Sequence, residues 1–134
     1  NCEVNMNTIE NNAFFWQKLD TLLLASNFEL KNEAGSKHPH YNNLIYPVNY
    51  GTLLDTLSPD QQGIAMYKGS ISSHHVNAVV IAADILNKDV EIKFLVGCTA
   101  EEEESILRFL NQTDFQKTVL IRRTDDVPSW ALTD

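Results

Sequence analysis

The sequence predicts one domain of the α+β class in which strands outnumber helices. Three observations carry that prediction. The chain has 134 residues, the length of a single domain. Two stretches have apolar residues at helical spacing, one near the start and one past the middle. Between them Ile64–Lys68, Val76–Ile85 and Val90–Cys98 read as strands with no helix separating them, which favours a mostly antiparallel sheet or barrel.

In chain order, Ile9 to Ala25 reads as a helix. Phe15, Leu19, Leu22 and Leu23 recur at spacings of three and four, and Phe14 and Trp16 widen that face. Thr8 suits an N-cap and Ser26-Asn27 a stop. Phe28–Lys31 reads as a short strand. Glu33 to Asn43, with Gly, Pro, Ser and Asn, reads as loop. Leu44–Val48 is apolar and expected to be extended, since Pro47 biases Tyr46 toward β geometry. Asp55 to Gln62 is a second loop, with Ser58-Pro59-Asp60 as its turn signal. In the third strand of the central group Val90, Ile92, Phe94 and Val96 alternate with Glu91, Lys93, Leu95 and Gly97, the period of a half-buried strand.

Thr99 then opens a helix running to about Asn111, and with Glu102 it fits a capping box. Ile106, Leu107 and Leu110 form its apolar face. Glu101 to Glu104 crowd its first turn, where carboxylates offset the positive end of the helix dipole, so this run reads as helix chemistry ahead of a metal site. Gln116–Arg122 is the last strand. Residues 1–8 and 125–134 are expected to be loose, and Met6 reads as a natural start preceded by Asn1 to Asn5. No repeat or interdomain linker interrupts 1–134.

Composition narrows the function classes. Hydrophobic residues make up 43% of the chain, as in globular proteins. The net charge of −8 and the lack of a Lys/Arg cluster argue against nucleic acid and against a membrane surface. No apolar run approaches a membrane span, and no secretory signal opens the chain. Cys2 and Cys98 make neither a disulfide framework nor a zinc site, which points to a reducing, cytoplasmic setting. His38, His40, His74 and His75 resemble a ligand set on paper, yet adjacent histidines in a strand point to opposite faces.

Ile45-Tyr46-Pro47-Val48-Asn49-Tyr50-Gly51 resembles the Y-P-x-N-Y-G stretch of family I soluble inorganic pyrophosphatases. Where that family has D-x-D-x-x-D, this chain reads Asp60-Gln61-Gln62-Gly63-Ile64-Ala65. Where it has two aspartates five apart at a strand end, this chain has Asp84 and Asp89. Gly35-Ser36-Lys37-His38-Pro39-His40-Tyr41 and Gly97-Cys98-Thr99 are similar to stretches of a short bacterial pyrophosphatase-like group, which extends the resemblance over nearly the whole chain after residue 12.

The resemblance implies a small OB-like, mostly antiparallel β-barrel, closed or partly open, of about five or six strands with two or three outer helices. It implies Mg²⁺ at Asp60, Asp84 and Asp89, with Asp60 and Tyr50 in catalytic roles. Glu29 is a further candidate, and Lys37 or His40 stands nearest the family's phosphate arginine. The pattern is incomplete: Gln62 and Ala65 stand where aspartates belong, and Glu91 stands where a lysine would meet phosphate. Two adjacent Mg²⁺ ions need anionic oxygens to coexist. The expectation is therefore a pyrophosphatase-like protein, weak or inactive toward pyrophosphate, with weak Mg²⁺ binding; a non-catalytic ligand- or protein-binding module on the same scaffold is the alternative. Pyrophosphate or another phosphate compound is the expected ligand, and a homo-oligomer is compatible with the sequence. Asp60, Asp89 and Tyr50 also have plain structural readings, as two turn residues and a packed tyrosine.

Overall fold

A computed structural model of the protein describes residues 10–41 and 43–131. The order of elements is α1 (Ala13–Leu24), β1 (Phe28–Asn32), β2 (Asn49–Leu53), β3 (Ile64–Lys68), β4 (Val76–Asp84), β5 (Asp89–Val96), α2 (Ala100–Leu110) and β6 (Gln116–Arg122), with a 3₁₀ turn at Ser129–Ala131. The strands form one sheet in the order β1-β2-β3-β5-β4-β6. Neighbours are antiparallel except β3 and β5, which run parallel.

The six strands and their mostly antiparallel pairing are as expected, but they do not close into a barrel. The sheet is open and mixed, with β1 and β6 as its edges. The physical reason lies in its faces. A small barrel buries one face around a single interior, whereas this sheet buries a core on each face. On one face Trp16 and Leu19 of α1 pack on Leu53, Met66, Val79, Phe94 and Val96. On the other, Ile106, Phe109 and Leu110 of α2 pack with Leu44, Tyr46 and Val48 on Tyr67, Ala78, Val80 and Leu95.

Helix α1 begins later than expected. Asn12 is its N-cap, its side chain accepting from the Phe15 backbone N–H at 3.1 Å. Thr8, like Cys2 and the start at Met6 after Asn1 to Asn5, lies outside the described residues. The buried stripe is also turned: Trp16, Leu19 and Asp20 face inward, while Phe15 is 50% exposed and Leu22 41%. The largest side chain sets the rotation, since burying Trp16 completely takes the most apolar area from water. Leu44–Val48 is not a strand of the sheet. Ile45 makes an isolated bridge to Lys37, and β2 starts at Asn49, just beyond the N–H that Pro47 lacks. The capping box of α2 is present, Thr99 accepting from the Glu102 N–H and Glu102 from the Thr99 N–H.

Two glycines fix close backbone approaches. A Cβ on Gly51 would sit 2.0 Å from the Glu29 carbonyl oxygen across the β1–β2 pair, next to the bulge between Leu30 and Asn32. Gly97, at φ +65, ends β5 with its Cβ position 2.0 Å from the Ile71 carbonyl.

The helix-to-sheet geometry is pinned by a buried ion pair. Asp20 receives Arg123 through both guanidinium NH groups at 2.8 and 2.9 Å, the Val76 N–H at 2.9 Å, and lies 3.0 Å from His75 Nδ1. Burial works against the Asp20 carboxylate, but the bonds from Arg123, His75 and Val76 outweigh it and leave its pKa below the ordinary value. Asp20→Ala is expected to destabilise the fold by about 2 kcal/mol, since it removes the hydrogen-bonded counter-charge of the half-buried Arg123 guanidinium. Because the folded pKa is depressed, the stabilisation is present above the unfolded value near 3.8 and lost as pH falls through the folded one. Urea denaturation across that acid range should show wild type and variant converging at the acid end.

Candidate functional site

A cavity of about 510 Å³ opens on the α2 face of the sheet. Its floor follows from strand periodicity. Residues facing each other across a sheet point to the same side, and the register joins Thr52 to Ala65, Ala65 to Lys93 and Lys93 to Val80. Two and four residues back along β5, Glu91 and Asp89 share that side, and Asp89 faces Asp84 at the end of the β4–β5 hairpin. Asp89, Glu91 and Lys93 thus run down the floor at about 7 Å intervals, twice the rise per strand residue. The roof comes from α2 and the loop after it, with Phe109, Leu110 and Phe115. The far wall comes from His38, Tyr41, Tyr46 and Tyr50.

Lys93 is the one lysine or arginine that lines the cavity, as buried as Asp84. It is 8% exposed, and its Nζ donates to the Tyr50 hydroxyl at 3.3 Å and lies 3.7 Å from Glu91 Oε1. Burial alone would lower its pKa, but Tyr50, Glu91 and Asp60 more than offset that, and the value stands above the ordinary lysine one. The ammonium therefore stays charged through the physiological range. Above it the aromatic wall is self-packed: Tyr46 stacks near His38 and Tyr50 and lies 4.8 Å from Phe109 between ring centroids. Burial, with Tyr50 beside it, pushes the Tyr46 phenol up to about 12, and Tyr67 is raised well above its ordinary value. His38 is lowered by burial and by His40, and its Nδ1 accepts the His40 N–H at 3.0 Å, so near neutrality the ring is uncharged with its proton on Nε2. Cys98 is no nucleophile: burial and the glutamates at the start of α2 push its thiol up to about 12.

The residues singled out in the sequence divide here. Tyr50, Asp84 and Asp89 line the cavity together. Asp60 is not among its lining residues. Its carboxylate accepts from Ser58 Oγ and the Gln62 N–H, the turn geometry open to it from its sequence. Those bonds and the nearby Lys93 charge outweigh burial and hold its pKa low. Glu29 pairs with Lys31 at 2.7 Å on edge strand β1. His38 and His40 reach the cavity; Lys37 does not line it.

The donor set does not fit the Mg²⁺ cluster that the resemblance implies. Asp84 is 8% exposed, and its carboxylate is taken by the Leu86 N–H at 2.8 Å, the Asn87 N–H at 3.0 Å and Asn87 Nδ2 at 2.9 Å. Glu91 is engaged with Lys93, and Asp60 is held in its own turn. Of these four carboxylates, Asp89 alone is without a partner among the described residues. No group of three or more His, Cys, Asp or Glu side chains among the described residues could hold a metal ion.

Lys93 is the residue that sequence reasoning passed over. Attention fell on Glu91, at the spacing where a lysine was expected. The signal was nonetheless present, because strict alternation puts Lys93 on the same face, one pleat deeper.

No family model and no curated protein matches this chain. Among solved structures it is similar to an inorganic phosphatase from Anaplasma phagocytophilum, with 12% identity and a TM-score of 0.46 over 72% of this chain and 81% of that one. It is similar to an inorganic pyrophosphatase from Helicobacter pylori, with 11% identity and a TM-score of 0.46 over 72% and 81%. It is also similar to an inorganic pyrophosphatase from Coxiella burnetii, with 11% identity and a TM-score of 0.44 over 75% and 84%.

The hydrogen bonds separate the two hairpin aspartates by role. Asp84→Ala removes three accepted bonds from a tight turn and should cost about 2 kcal/mol. Asp89→Ala should change stability by no more than about 0.5 kcal/mol. Denaturant melts of the two variants check this.

Proposed function

We propose that this protein is a pyrophosphatase-like scaffold whose cavity binds pyrophosphate or another phosphate compound and hydrolyses it weakly or not at all. The observation that carries this reading is the buried Lys93 ammonium, hydrogen-bonded to Tyr50 at the bottom of a cavity that Asp84 and Asp89 also line. Tyr50 is far in sequence from the hairpin that carries Asp84 and Asp89, and their meeting at one cavity supports the resemblance that picked them out. An ammonium and phenol hydroxyls supply donors for phosphate oxygens.

Phosphoryl transfer to water asks for more: the phosphate charge must be neutralised and a water made nucleophilic. Against Lys93 the cavity sets Asp84, Asp89 and Glu91, so a polyanion entering without a cation meets net repulsion. Mg²⁺ would therefore be needed by any catalytic reading, yet it is expected to bind weakly, with Asp89 as the available carboxylate. Asp60 and Tyr50, the catalytic candidates, then act as a charge beside Lys93 and as its hydrogen-bond acceptor. The second reading, a non-catalytic ligand- or protein-binding module, is favoured by Gln62, Ala65 and Glu91, which remove the anionic ligands and the outer lysine together. A cytoplasmic setting and self-association remain part of the proposal; among the described residues no helix is long and apolar enough to cross a membrane.

Phosphate release from pyrophosphate in saturating Mg²⁺ or Mn²⁺ is expected to run several powers of ten below that of an enzyme with the full aspartate set, because each missing metal forfeits several kcal/mol of charge stabilisation. Comparable turnover would refute the proposal. Gln62→Asp with Ala65→Asp should raise Mg²⁺ affinity in calorimetric titration. Ala65, in register beside Lys93, would carry the new carboxylate into the site face.

A further inference from the structure

The cavity floor holds more carboxylates than cations, yet among the described residues it assembles no metal site. What stands among the carboxylates is Lys93. Its ammonium lies 3.3 Å from the Tyr50 hydroxyl and 3.7 Å from Glu91 Oε1, with Asp60 near enough for their charges to interact. Ala65 is paired with Lys93 from β3 and offers only a buried methyl group. Beyond Ala65 in the same row comes Thr52, which is 6% exposed. Its Oγ1 is the one buried side-chain polar atom among the described residues that lacks a hydrogen-bond partner. A phenol and a carboxylate thus stand against the ammonium, with a buried free hydroxyl two strands away.

We infer that the Lys93 ammonium is this site's own cation: it holds the place beside Glu91 and Tyr50 to which a divalent ion would otherwise be drawn, so that no metal is needed to neutralise Glu91. The chemistry is charge replacement. Mg²⁺ and Mn²⁺ take hard oxygen ligands, and Mg²⁺ commonly binds through one or two carboxylates while keeping several waters. A lysine amine supplies the neutralising charge but, once protonated, has no lone pair to offer and donates to the same oxygens. The two cations therefore exclude each other. A partly buried carboxylate such as Glu91, stripped of its ammonium, must protonate, destabilise the fold or recruit a cation. This deepens the proposed function by naming why metal binding there is weak, but its test contains no phosphate compound and so stands or falls separately.

The test is a set of thermal melts of the wild type, Lys93→Met and Lys93→Met/Glu91→Gln, each in chelator and in Mn²⁺. Methionine keeps the length and the apolar stem of lysine without its charge. Wild type should melt at the same temperature in both conditions. Lys93→Met should melt lower in chelator and rise by about 5 °C or more in Mn²⁺, the size of shift that specific binding to the native state gives in a domain of this length. The double variant should lose most of that response. If Lys93→Met is unfolded in chelator, recovery of its far-ultraviolet circular dichroism on adding Mn²⁺ is the same result, and a chain that stays unfolded overturns the inference. A Lys93→Met melt indifferent to Mn²⁺ overturns it too, as does a wild type stabilised by Mn²⁺ as much as the variant.

Discussion

A charge taken out of water must bring its counter-charge with it, and in this fold that requirement centres on Lys93. The ammonium is buried at the middle of a six-stranded sheet, so the strands on both sides must deliver partners at fixed positions. β2 delivers the Tyr50 hydroxyl, β5 itself delivers Glu91 one pleat away, and Asp60, exposed in the turn before β3, adds its negative charge. The parallel β3–β5 pair, which sets Ala65 against Lys93, leaves room for the long side chain to lie across the face. Tyr46, Tyr50, Tyr67 and Phe109 pack against one another beside it, and the Tyr50 ring centroid lies 5.3 Å from the Lys93 ammonium.

The two faces of the sheet follow from the same strand. Along β5 the odd-numbered residues, Asp89 to Leu95, face α2 and the cavity, while Val90, Ile92 and Phe94 face α1. Hydrophobicity would bury Val90 and Ile92 and expose Glu91 and Lys93. The fold does the reverse at this end: Val90 is 60% exposed and Ile92 51%. Helix α1 has 12 residues and covers the Phe94 end, so the apolar pair lies in an open groove beside it. On the opposite face α2 and the loop that follows it roof over the charged pair. Burial here is set by what lies above each strand position, not by the polarity of the residue that occupies it.

Much of this was legible in the sequence, for physical reasons that differ from element to element. The period-two stretch of β5, the capping box at Thr99 and Glu102, and the bounds of β3 and β6 are local properties, and local chemistry predicts them well. The turn of α1 about its axis was not legible, because Phe15 and Trp16 are equally apolar and only the sheet decides which is covered. Nor was the open sheet, since closure depends on whether the edge strands meet. At the site, alternation placed Asp89, Glu91 and Lys93 on one face, but their depth is a tertiary property. That Asp84 spends its carboxylate on the hairpin turn, and Asp60 on its own, could be read as an option from the turn residues around them and as a fact only from the hydrogen bonds.

The most direct check on this account is the protonation state of Lys93, read from its side-chain ammonium or εCH₂ resonances in an NMR pH titration, with Lys93→Arg used to assign the signal. Because Tyr50, Glu91 and Asp60 outweigh burial, the lysine should remain charged beyond its ordinary value of 10.5 and titrate last among the lysines or not before the protein unfolds in alkali. A Lys93 that loses its proton below 10.5, as burial without partners would dictate, would contradict the account, for the cavity would then hold a neutral amine and its carboxylates would lack the cation on which the whole arrangement rests.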